Sequence, residues 1–365
     1  MAKTALDYAI QGSETLMRKF TVEQLPPAPR FHYHQGVYLS GVQRTYALSG
    51  KKNLGDYVKD WIDYYVDADG KLLHTEMNQF DDMQPAILMF DLYKETKDER
   101  YRKAMDSLVP YVKQWPKNAQ GGFWHKFFRE NQMWLDTLYM IGPFCAMYAN
   151  ILGEEPYLNE VIYQNMNLMR RNMTDPKTGL LYHAWDDSKV IDWADPKTGT
   201  SAHFWGRAIG WYAVAILDIL DYLPEDHPRR QEFIDAERDI IDALIRFQDE
   251  ESGLWYQVVD RGDDPKNWHE TSCSSLYTYS IAKAVKVGIL DKTYLKYATK
   301  GYEAVIATLD FEGEDLILSN VCIGTGVGDY DFYLNRPTVQ NDLHGMGAFL
   351  LMCTEYYDTI TKLGI

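Results

Sequence analysis

Hydrophobic residues recur with helical spacing along most of the chain. Met105, Leu108 and Val112, for example, fall on one face of a helix. Strand signals are few and short. The pattern predicts helices at residues 4–20, 34–49, 51–67, 81–95, 97–114, 133–152, 155–173, 205–222, 227–248, 270–287, 291–309 and 340–361.

The predicted helices alternate between two kinds. The odd-numbered ones, such as 97–114, carry charges on one face, whereas the even-numbered ones, such as 133–152 and 205–222, have few charges on any side. A helix that is apolar on most sides is buried on most sides. Six hairpins that close into a ring would place the even helices inside. We therefore predict an (α/α)6 barrel, formed as a single domain by residues 1–365. An open helical solenoid is the alternative, although its repeats are usually more regular in length.

The segments that enter the even helices combine aromatic residues with polar and charged ones. These segments are FHYHQG, FDDMQPA, MWLDTLYM, AHFWGRAIGW, NWHETSCSS and QNDLHGMG. If the inner helices are parallel, all six segments meet at one mouth of the barrel. We therefore expect a single functional site there.

Composition and net charge argue against several classes of function. The 365 residues include 46% hydrophobic ones, which argues against disorder, and carry a net charge of −16, which argues against general nucleic-acid binding. No apolar run approaches about 18 residues, so we predict no membrane span. The first residues lack the apolar core of a signal peptide, and a cytoplasmic protein is expected. Aromatic residues make up 14% of the chain, which suits an aromatic-lined cleft.

The sequence contains no pattern typical of a metal or nucleotide site. Four widely spaced cysteines, Cys145, Cys273, Cys322 and Cys353, lie among apolar or small residues and form no CxxC pair. We predict that they are free buried thiols in a reducing cytoplasm. Neither HExxH nor a glycine-rich phosphate loop is present, so we predict no catalytic metal and no cofactor.

Carboxylates near the second and third inner helices are the candidate catalytic groups. Asp136 follows Trp134 and Leu135, and burial among apolar groups would raise its pKa and suit a general acid. The adjacent helix N-terminus would lower that pKa, and a helix-capping role is the alternative. Asp81 and Asp82 open the preceding inner helix, where capping is again the alternative. Two carboxylates in one pocket would resemble the acid/base pair of a glycosidase.

Basic residues supply candidate anion-binding groups. Arg207 lies between Trp205 and Trp211 and could hold a substrate carboxylate through two parallel hydrogen bonds. A structural ion pair or cation–π contact is an equally good explanation. Lys126 could supply a second positive charge, although lone lysines are usually solvated. His183 follows a glycine–aromatic segment, and a structural hydrogen-bonded role is its alternative.

Several motifs together resemble those of a known enzyme family. FDDMQPAILMFDLYKETKDERY, FWHK, MWLDTLYM, GLLYHAWD, HFWGRAIGWYA, GLWYQVVD and DLHGMGAFLLMCTEY resemble the unsaturated rhamnogalacturonyl hydrolases of glycoside hydrolase family 105. The family 88 unsaturated glucuronyl hydrolases are more distantly similar. The resemblance runs from about residue 33 to 357. It implies an (α/α)6 barrel that removes a 4,5-unsaturated uronic acid from lyase-generated oligosaccharides by hydrating the C4=C5 double bond.

The resemblance also implies roles for individual residues. Asp136 would give a proton to C4 and activate the water that adds at C5. Asp81 would be the second carboxylate, or Asp82 if the alignment slips by one. The residues that align with pocket positions of the family are Tyr33, Lys126, His183, Trp205, Arg207 and Trp211. The expected partner is a small unsaturated oligosaccharide, with a rhamnogalacturonan disaccharide as the first candidate.

Two stretches depart from the family pattern. Pro85-Ala86 replaces a small residue, often glycine, although proline is acceptable in a first helical turn. Residues 311–340 fit only loosely, and we expect them to shape the mouth and the sugar specificity. The alternatives to be weighed are an unsaturated glucuronyl hydrolase acting on glycosaminoglycan or ulvan products, another barrel enzyme such as an inverting glycosidase or epimerase, and a non-enzymatic helical scaffold.

Overall fold

A computed structural model describes residues 3–365. The α-helices of this part are α1 (Ala5–Lys19), α2 (Tyr33–Ser49), α3 (Lys52–Tyr65), α4 (Leu88–Thr96), α5 (Glu99–Gln114), α6 (Asp136–Ile151), α7 (Tyr157–Met173), α8 (Gly206–Leu220), α9 (Arg230–Leu244), α10 (Thr271–Lys286), α11 (Leu295–Ala307), α12 (Tyr330–Leu334) and α13 (Leu343–Leu363). The strands are β1 (Gln132–Trp134), β2 (Ala184–Asp186), β3 (Asp310–Glu312), β4 (Asp315–Ile317), β5 (Val321–Cys322) and β6 (Thr338–Val339). They form antiparallel pairs in the order β1-β2, β3-β4 and β5-β6.

The helices form two concentric rings. The inner ring contains α2, α4, α6, α8, α10 and α13, and α13 closes it by packing against both α10 and α2. A 3-10 segment ahead of α4 contacts both α2 and α6 and completes the circle. Each of α1, α3, α5, α7, α9 and α11 packs on the outside of an inner helix. The predicted (α/α)6 barrel is therefore confirmed, and its inner ring consists of the six helices that the sequence placed inside, the last of which is α13.

Burial explains which helices are inside. All 15 residues of α8 are buried, and so is the stretch from Thr271 to Val285 in α10. The outer helix α5 instead buries one face, formed by Tyr101, Ala104, Met105, Leu108, Val109 and Val112. Removing apolar surface from water is favourable, so a helix that is apolar all round is most stable where neighbours cover every side. A helix with one apolar face needs neighbours on that face only and can lie at the periphery. The hydrophobic pattern thus sorts the helices into layers.

The second inner helix is shorter than the predicted range 81–95. It begins as two 3-10 turns, Phe80–Asp82 and Gln84–Ile87, and is α-helical only over Leu88–Thr96. The irregular turns fit tightly against α2, since a Cβ on Gly36 would lie 2.9 Å from the Cα atom of Pro85. The two acidic residues therefore lie on a 3-10 turn ahead of the α-helix, where consecutive side chains diverge strongly.

The amino ends of the inner helices do not all lie open at one mouth. The long connection between β4 and α13, called the covering loop although it includes β5, α12 and β6, covers the beginnings of α8 and α10. Thr271 donates its backbone N–H to the carbonyl oxygen of Asn320 at 3.1 Å, and Arg207 donates to the carbonyl oxygen of Cys322 at 2.6 Å. The cavity on this side is lined by the segments that enter α2, α4 and α6 and by residues 324–326.

The opposite mouth contains a cavity of about 300 Å³ between the carboxyl ends of the inner helices. Most of its charged groups are paired with one another. Asp218 accepts from Arg44 Nη2 at 3.0 Å and from Lys283 Nζ at 2.6 Å. These cations hold the pKa of Asp218 below its ordinary value despite burial. The network ties α2, α8 and α10 together.

Two further expectations concern the cysteines and the membrane. Cys145, Cys273, Cys322 and Cys353 are all buried free thiols, as predicted. Burial raises the pKa of the Cys145 thiol, which makes it a poor nucleophile. Between residues 3 and 365, no helix combines the length and hydrophobicity needed to cross a bilayer.

Candidate active site

A cavity of about 330 Å³ opens at the mouth where α2 and α6 begin. Its wall is formed by residues 30–34 before and in α2, by the 3-10 turn ahead of α4, by residues 125–140, and by the glycine-rich segment 324–326. Four of the sequence-predicted site residues line it: Tyr33, Asp81, Lys126 and Asp136. The cavity has the size of a small-ligand site and brings together two carboxylates, several cations and aromatic rings.

Asp136 is the first residue of α6, which begins shortly after β1 ends at Trp134. Its side chain is 13% exposed, and its Oδ2 atom is buried without a hydrogen-bond partner. Leu135 occupies the N-cap position and no side chain caps this helix, so the capping alternative for Asp136 is wrong. The structure thus places at the cavity wall a carboxylate that caps no helix and accepts no hydrogen bond at its buried oxygen.

His183 lies behind Asp136. Its Nε2 atom is 3.3 Å from Asp136 Oδ2, although the angles do not make this contact a hydrogen bond. Its Nδ1 atom is 2.8 Å from the Tyr333 hydroxyl, and the ring packs against Trp134 and Trp205. The imidazole is fully buried, so it can position the Asp136 carboxylate but does not itself form the cavity wall.

Asp81 faces the cavity as one half of an ion pair. Lys126 Nζ donates to Asp81 Oδ2 at 2.9 Å and to Gln79 Oε1 at 2.6 Å. An isolated antiparallel bridge between Gln79 and Lys126 aligns the two segments that carry these side chains. His32 Nε2 lies 3.9 Å from the same carboxylate oxygen, and burial lowers the pKa of His32 to about 2. His32 is therefore neutral, and Lys126 is the cation that neighbours Asp81.

Asp82 points away from the cavity. Its side chain is fully buried, and Asp82 Oδ1 accepts from Arg30 Nη2 at 3.1 Å. Burial raises the pKa of Asp82 to about 6, and the nearby Asp81 carboxylate adds to this effect. Of the two alternatives left open by the sequence, Asp81 is the one that lines the cavity.

Arg207 lies behind the cavity wall. Its guanidinium is 1% exposed, and it donates to the carbonyl oxygens of Cys322 at 2.6 Å and Ile323 at 2.7 Å. Glu270 Oε1 is 3.8 Å away, and the Trp205 ring centroid lies 4.5 Å from the guanidinium carbon. The structure therefore matches the alternative of an ion pair with a cation–π contact. In this structure Arg207 fastens the loop that carries residues 324–326 and does not reach the cavity.

The two predicted tryptophans are also not part of the wall. Trp205 is buried and donates its indole N–H to Gln257 Oε1 at 3.1 Å. Trp211 stacks on Tyr139 with ring centroids 4.6 Å apart, between α8 and α6. Both face the interior because α8 is surrounded on all sides. The structure consequently separates Trp205, Arg207 and Trp211 from the residues that line the cavity.

Sequence reasoning missed several residues of the wall. Arg129 and Phe128 lie in the HKFFREN segment, directly after the FWHK motif. Phe128 is 62% exposed, and the Arg129 guanidinium carbon lies 5.8 Å from the Trp134 ring. His125 also lines the cavity and stacks against Trp134, with ring centroids 4.2 Å apart. The mixture of aromatic and basic residues beside a recognised motif was the signal that could have identified them.

Comparison with known proteins adds the family. The sequence model of Glycosyl Hydrolase Family 88 matches residues 9–360. The chain belongs to this family. The unsaturated rhamnogalacturonyl hydrolase YesR of Bacillus subtilis (strain 168) is 29% identical to this family 88 chain over 335 residues, which are 90% of each protein.

Solved structures of relatives agree with the family 88 assignment. A Clostridium acetobutylicum ATCC 824 structure, described as a glycoside hydrolase from family 105, is 32% identical, with a TM-score of 0.90 over 96% of this chain and 99% of that one. The unsaturated glucuronyl hydrolase of Bacillus sp. GL1 is 14% identical with a TM-score of 0.69 over 96% and 95% of the two chains, and shares the fold. The resemblance to families 105 and 88 inferred from the motifs is confirmed.

Proposed function

We propose that this protein hydrolyses lyase-generated oligosaccharides and releases the 4,5-unsaturated uronic acid from their non-reducing end. The observation that carries the proposal is the unpartnered carboxylate of Asp136 across a cavity that also holds the Asp81–Lys126 ion pair. A free carboxyl can exchange a proton with substrate, whereas a capped or paired one cannot do so readily. Family membership supports the same reaction, since YesR bears the name of an unsaturated rhamnogalacturonyl hydrolase.

In the proposed first step, the Asp136 carboxyl gives its proton to C4 of the unsaturated uronic acid. The electrons of the C4=C5 π bond form the new C4–H bond, and positive charge develops on C5 and the ring oxygen. Asp81 is the second carboxylate of the cavity and can stabilise this charge through space. Lys126 fixes the Asp81 carboxylate at 2.9 Å, so it need not reorganise as the charge forms.

In the second step, the Asp136 carboxylate accepts a proton from water as the water oxygen bonds to C5. The product is a hemiketal, and Asp136 has regained the proton that it gave to C4. Opening of the hemiketal gives a C5 ketone and turns C1 into a hemiacetal, which expels the reducing-side sugar as an alcohol. His183 would act as a positioning residue, since its Nε2 lies 3.3 Å behind the reacting carboxyl.

Recognition of the uronate is assigned to cations of the cavity wall. Lys126 and Arg129 line the cavity, whereas Arg207 is saturated by backbone carbonyls and Glu270. The Arg129 side chain is exposed, so its guanidinium can turn toward a bound carboxylate. The exposed ring of Phe128 at the rim offers a stacking surface for the sugar on the reducing side.

The direct test compares the wild type with Asp136→Asn on an unsaturated galacturonyl-rhamnose disaccharide. Turnover is followed as loss of the ultraviolet absorbance of the conjugated double bond. Because the amide cannot donate the proton, we expect kcat to fall by about 10²–10⁴-fold. The matched control is Asp226→Asn, since Asp226 is exposed on the surface and its replacement also removes one carboxylate.

Two outcomes would refute the proposed function. Wild-type protein that consumes no unsaturated uronide would exclude the reaction, and an unchanged kcat in Asp136→Asn with an unaltered melting temperature would exclude the role of Asp136. The substrate series should include unsaturated disaccharides from pectin, glycosaminoglycan and ulvan, because the reducing-side sugar decides among the related activities. We expect the rhamnogalacturonan product to give the highest kcat/KM. Turnover of a saturated glycan alone would favour an ordinary glycosidase.

The compartment that we propose is the cytoplasm. Four buried free thiols, at positions 145, 273, 322 and 353, are compatible with a reducing environment. The check is fractionation of the source cells, with the uronide-hydrolysing activity measured in each fraction. Activity outside the cytoplasmic fraction would contradict this assignment.

A further inference from the structure

Three potential ligands meet beside the cavity, between the first and the last inner helix. His34 is on the first turn of α2, Asp342 is the N-cap of α13, and His344 is on the first turn of α13. One ligand atom of each residue lies within 4.8 Å of the other two. Across residues 3–365, this is the one cluster of three or more His, Cys, Asp or Glu residues with such geometry.

The hydrogen bonds of His344 determine which of its nitrogens carries the proton. Its Nε2 atom lies 2.9 Å from the carbonyl oxygen of Cys322, which can only accept, so Nε2 is the donor. The Nδ1 atom is therefore the one that bears the lone pair in the neutral ring. The imidazole is fully buried, and Nδ1 has no hydrogen-bond partner.

The lone pair of His344 Nδ1 faces a carboxylate. Asp342 Oδ1 is 2.7 Å from this nitrogen. Two acceptors at that distance repel each other unless a cation lies between or beside them, because neither brings a hydrogen. Either a proton or a metal ion must occupy the position. The third group of the cluster decides which cation we favour.

His34 supplies that third group. Its Nδ1 atom is 3.0 Å from His32 Nδ1, so one of the two rings donates to the other. When His34 is the donor, its Nε2 carries the lone pair and the ring becomes a ligand whose other nitrogen is held by a hydrogen bond. Metal-bound histidines commonly have this arrangement. A proton shared by His344 and Asp342 would leave His34 without a function in the cluster.

We propose that His34, Asp342 and His344 bind one divalent transition-metal ion of the zinc type. Two imidazoles and one carboxylate suit Zn²⁺, whereas Mg²⁺ and Ca²⁺ prefer oxygen ligands. Three protein ligands leave a fourth position open, and His34 itself lines the cavity. The ion would also link α2 to α13, the two helices that close the inner ring. The expectation of no metal relied on local motifs and stays a prediction, which the experiment below tests against this proposal.

The experiment measures zinc binding to metal-stripped full-length protein in the absence of substrate. Titration calorimetry with ZnCl₂ should give one ion per chain, and saturating zinc should raise the melting temperature by at least about 2 °C. Asp342→Asn retains the N-cap hydrogen-bonding group but lacks the charge. We expect Asp342→Asn and His34→Gln each to weaken binding by about 10-fold or more, because each removes a ligand.

The control variant is His227→Gln, since His227 lies in the turn between α8 and α9, outside the cluster. It should bind zinc as the wild type does. The proposal is overturned if the wild type shows no stoichiometric binding, which would assign the position to a proton, or if His34→Gln and Asp342→Asn bind zinc with unchanged affinity. These measurements use no sugar, so their failure is distinct from failure of the proposed hydrolase activity.

Discussion

Asp82 should make the protein less stable as the pH rises from 4 to 7.5. Its carboxyl is buried, and the pKa of about 6 in the folded state lies above the ordinary value of 3.8. Folding therefore favours the protonated form. The stabilising contribution is fully present below pH 3.8 and is lost as the pH rises through 6. Asp82→Asn replaces the titrating carboxyl by a neutral amide of similar shape.

The size of the effect follows from the two pKa values. At 1.36 kcal/mol per pH unit, the difference between about 6 and 3.8 corresponds to about 3 kcal/mol in total. Part of the Asp82 titration lies outside the interval from pH 4 to 7.5, so the stability contribution changes by about 2–2.5 kcal/mol within that interval. We expect the free energy of unfolding of Asp82→Asn minus that of the wild type to increase by this amount from pH 4 to 7.5, because only the wild type loses stability as the carboxyl ionises. The baseline cost of losing the Arg30 contact cancels in the comparison.

The assay is equilibrium urea unfolding of both proteins at several pH values in that interval, followed by tryptophan fluorescence. Asp60→Asn is the control, because Asp60 is exposed and its replacement changes the net charge equally. The control should show no pH-dependent difference above about 0.5 kcal/mol. If the Asp82→Asn difference is constant across the interval, or decreases with rising pH, the buried carboxyl does not have the protonation behaviour inferred from its surroundings.

Three further predictions concern a cation of the cavity wall, an aromatic ring at its rim and the buried Arg207. Arg129→Gln should raise KM several-fold on unsaturated uronides with little change in kcat, and the effect should diminish at high salt; an unaffected KM would exclude Arg129 from uronate binding. Phe128→Ala should raise KM for disaccharides while the melting temperature is unchanged, as measured by steady-state kinetics and thermal unfolding. Arg207→Met leaves Glu270 buried without its cation and should lower the free energy of unfolding by about 3–5 kcal/mol in urea titrations. A raised KM at full stability would instead place Arg207 against the substrate.

The layers of the barrel could be predicted from sequence because the distribution of apolar residues around each helix indicates how many of its sides are buried. The all-round apolar character of residues 205–222 was sufficient to place that helix inside. The same criterion failed at residues 81–87, where Pro85 and close contact with Gly36 of α2 produce 3-10 turns. Hydrophobic periodicity does not record such contacts between distant segments. The expectation of one domain over residues 1–365 stays a prediction.

The candidate site was predicted only where a motif lies directly on the cavity wall. Asp136 and Lys126 belong to such motifs. Arg207 also lies in a motif, but the loop around Cys322 folds over it and uses its hydrogen-bond donors. Its burial depends on residues more than a hundred positions away, which no local pattern reveals. The His34–Asp342–His344 cluster was missed for the same reason.

The covering loop has a consequence for how the sugar selectivity of this enzyme can change. It contributes Gly324–Gly326 to the cavity wall but carries neither of the proposed reacting carboxylates, Asp81 and Asp136. Insertions or replacements in this one connection can therefore remodel which neighbouring sugar is accommodated while the proton-transfer groups stay in place. Selectivity for the neighbouring sugar can therefore change through this connection as well as through Phe128, while Asp81 and Asp136 are retained.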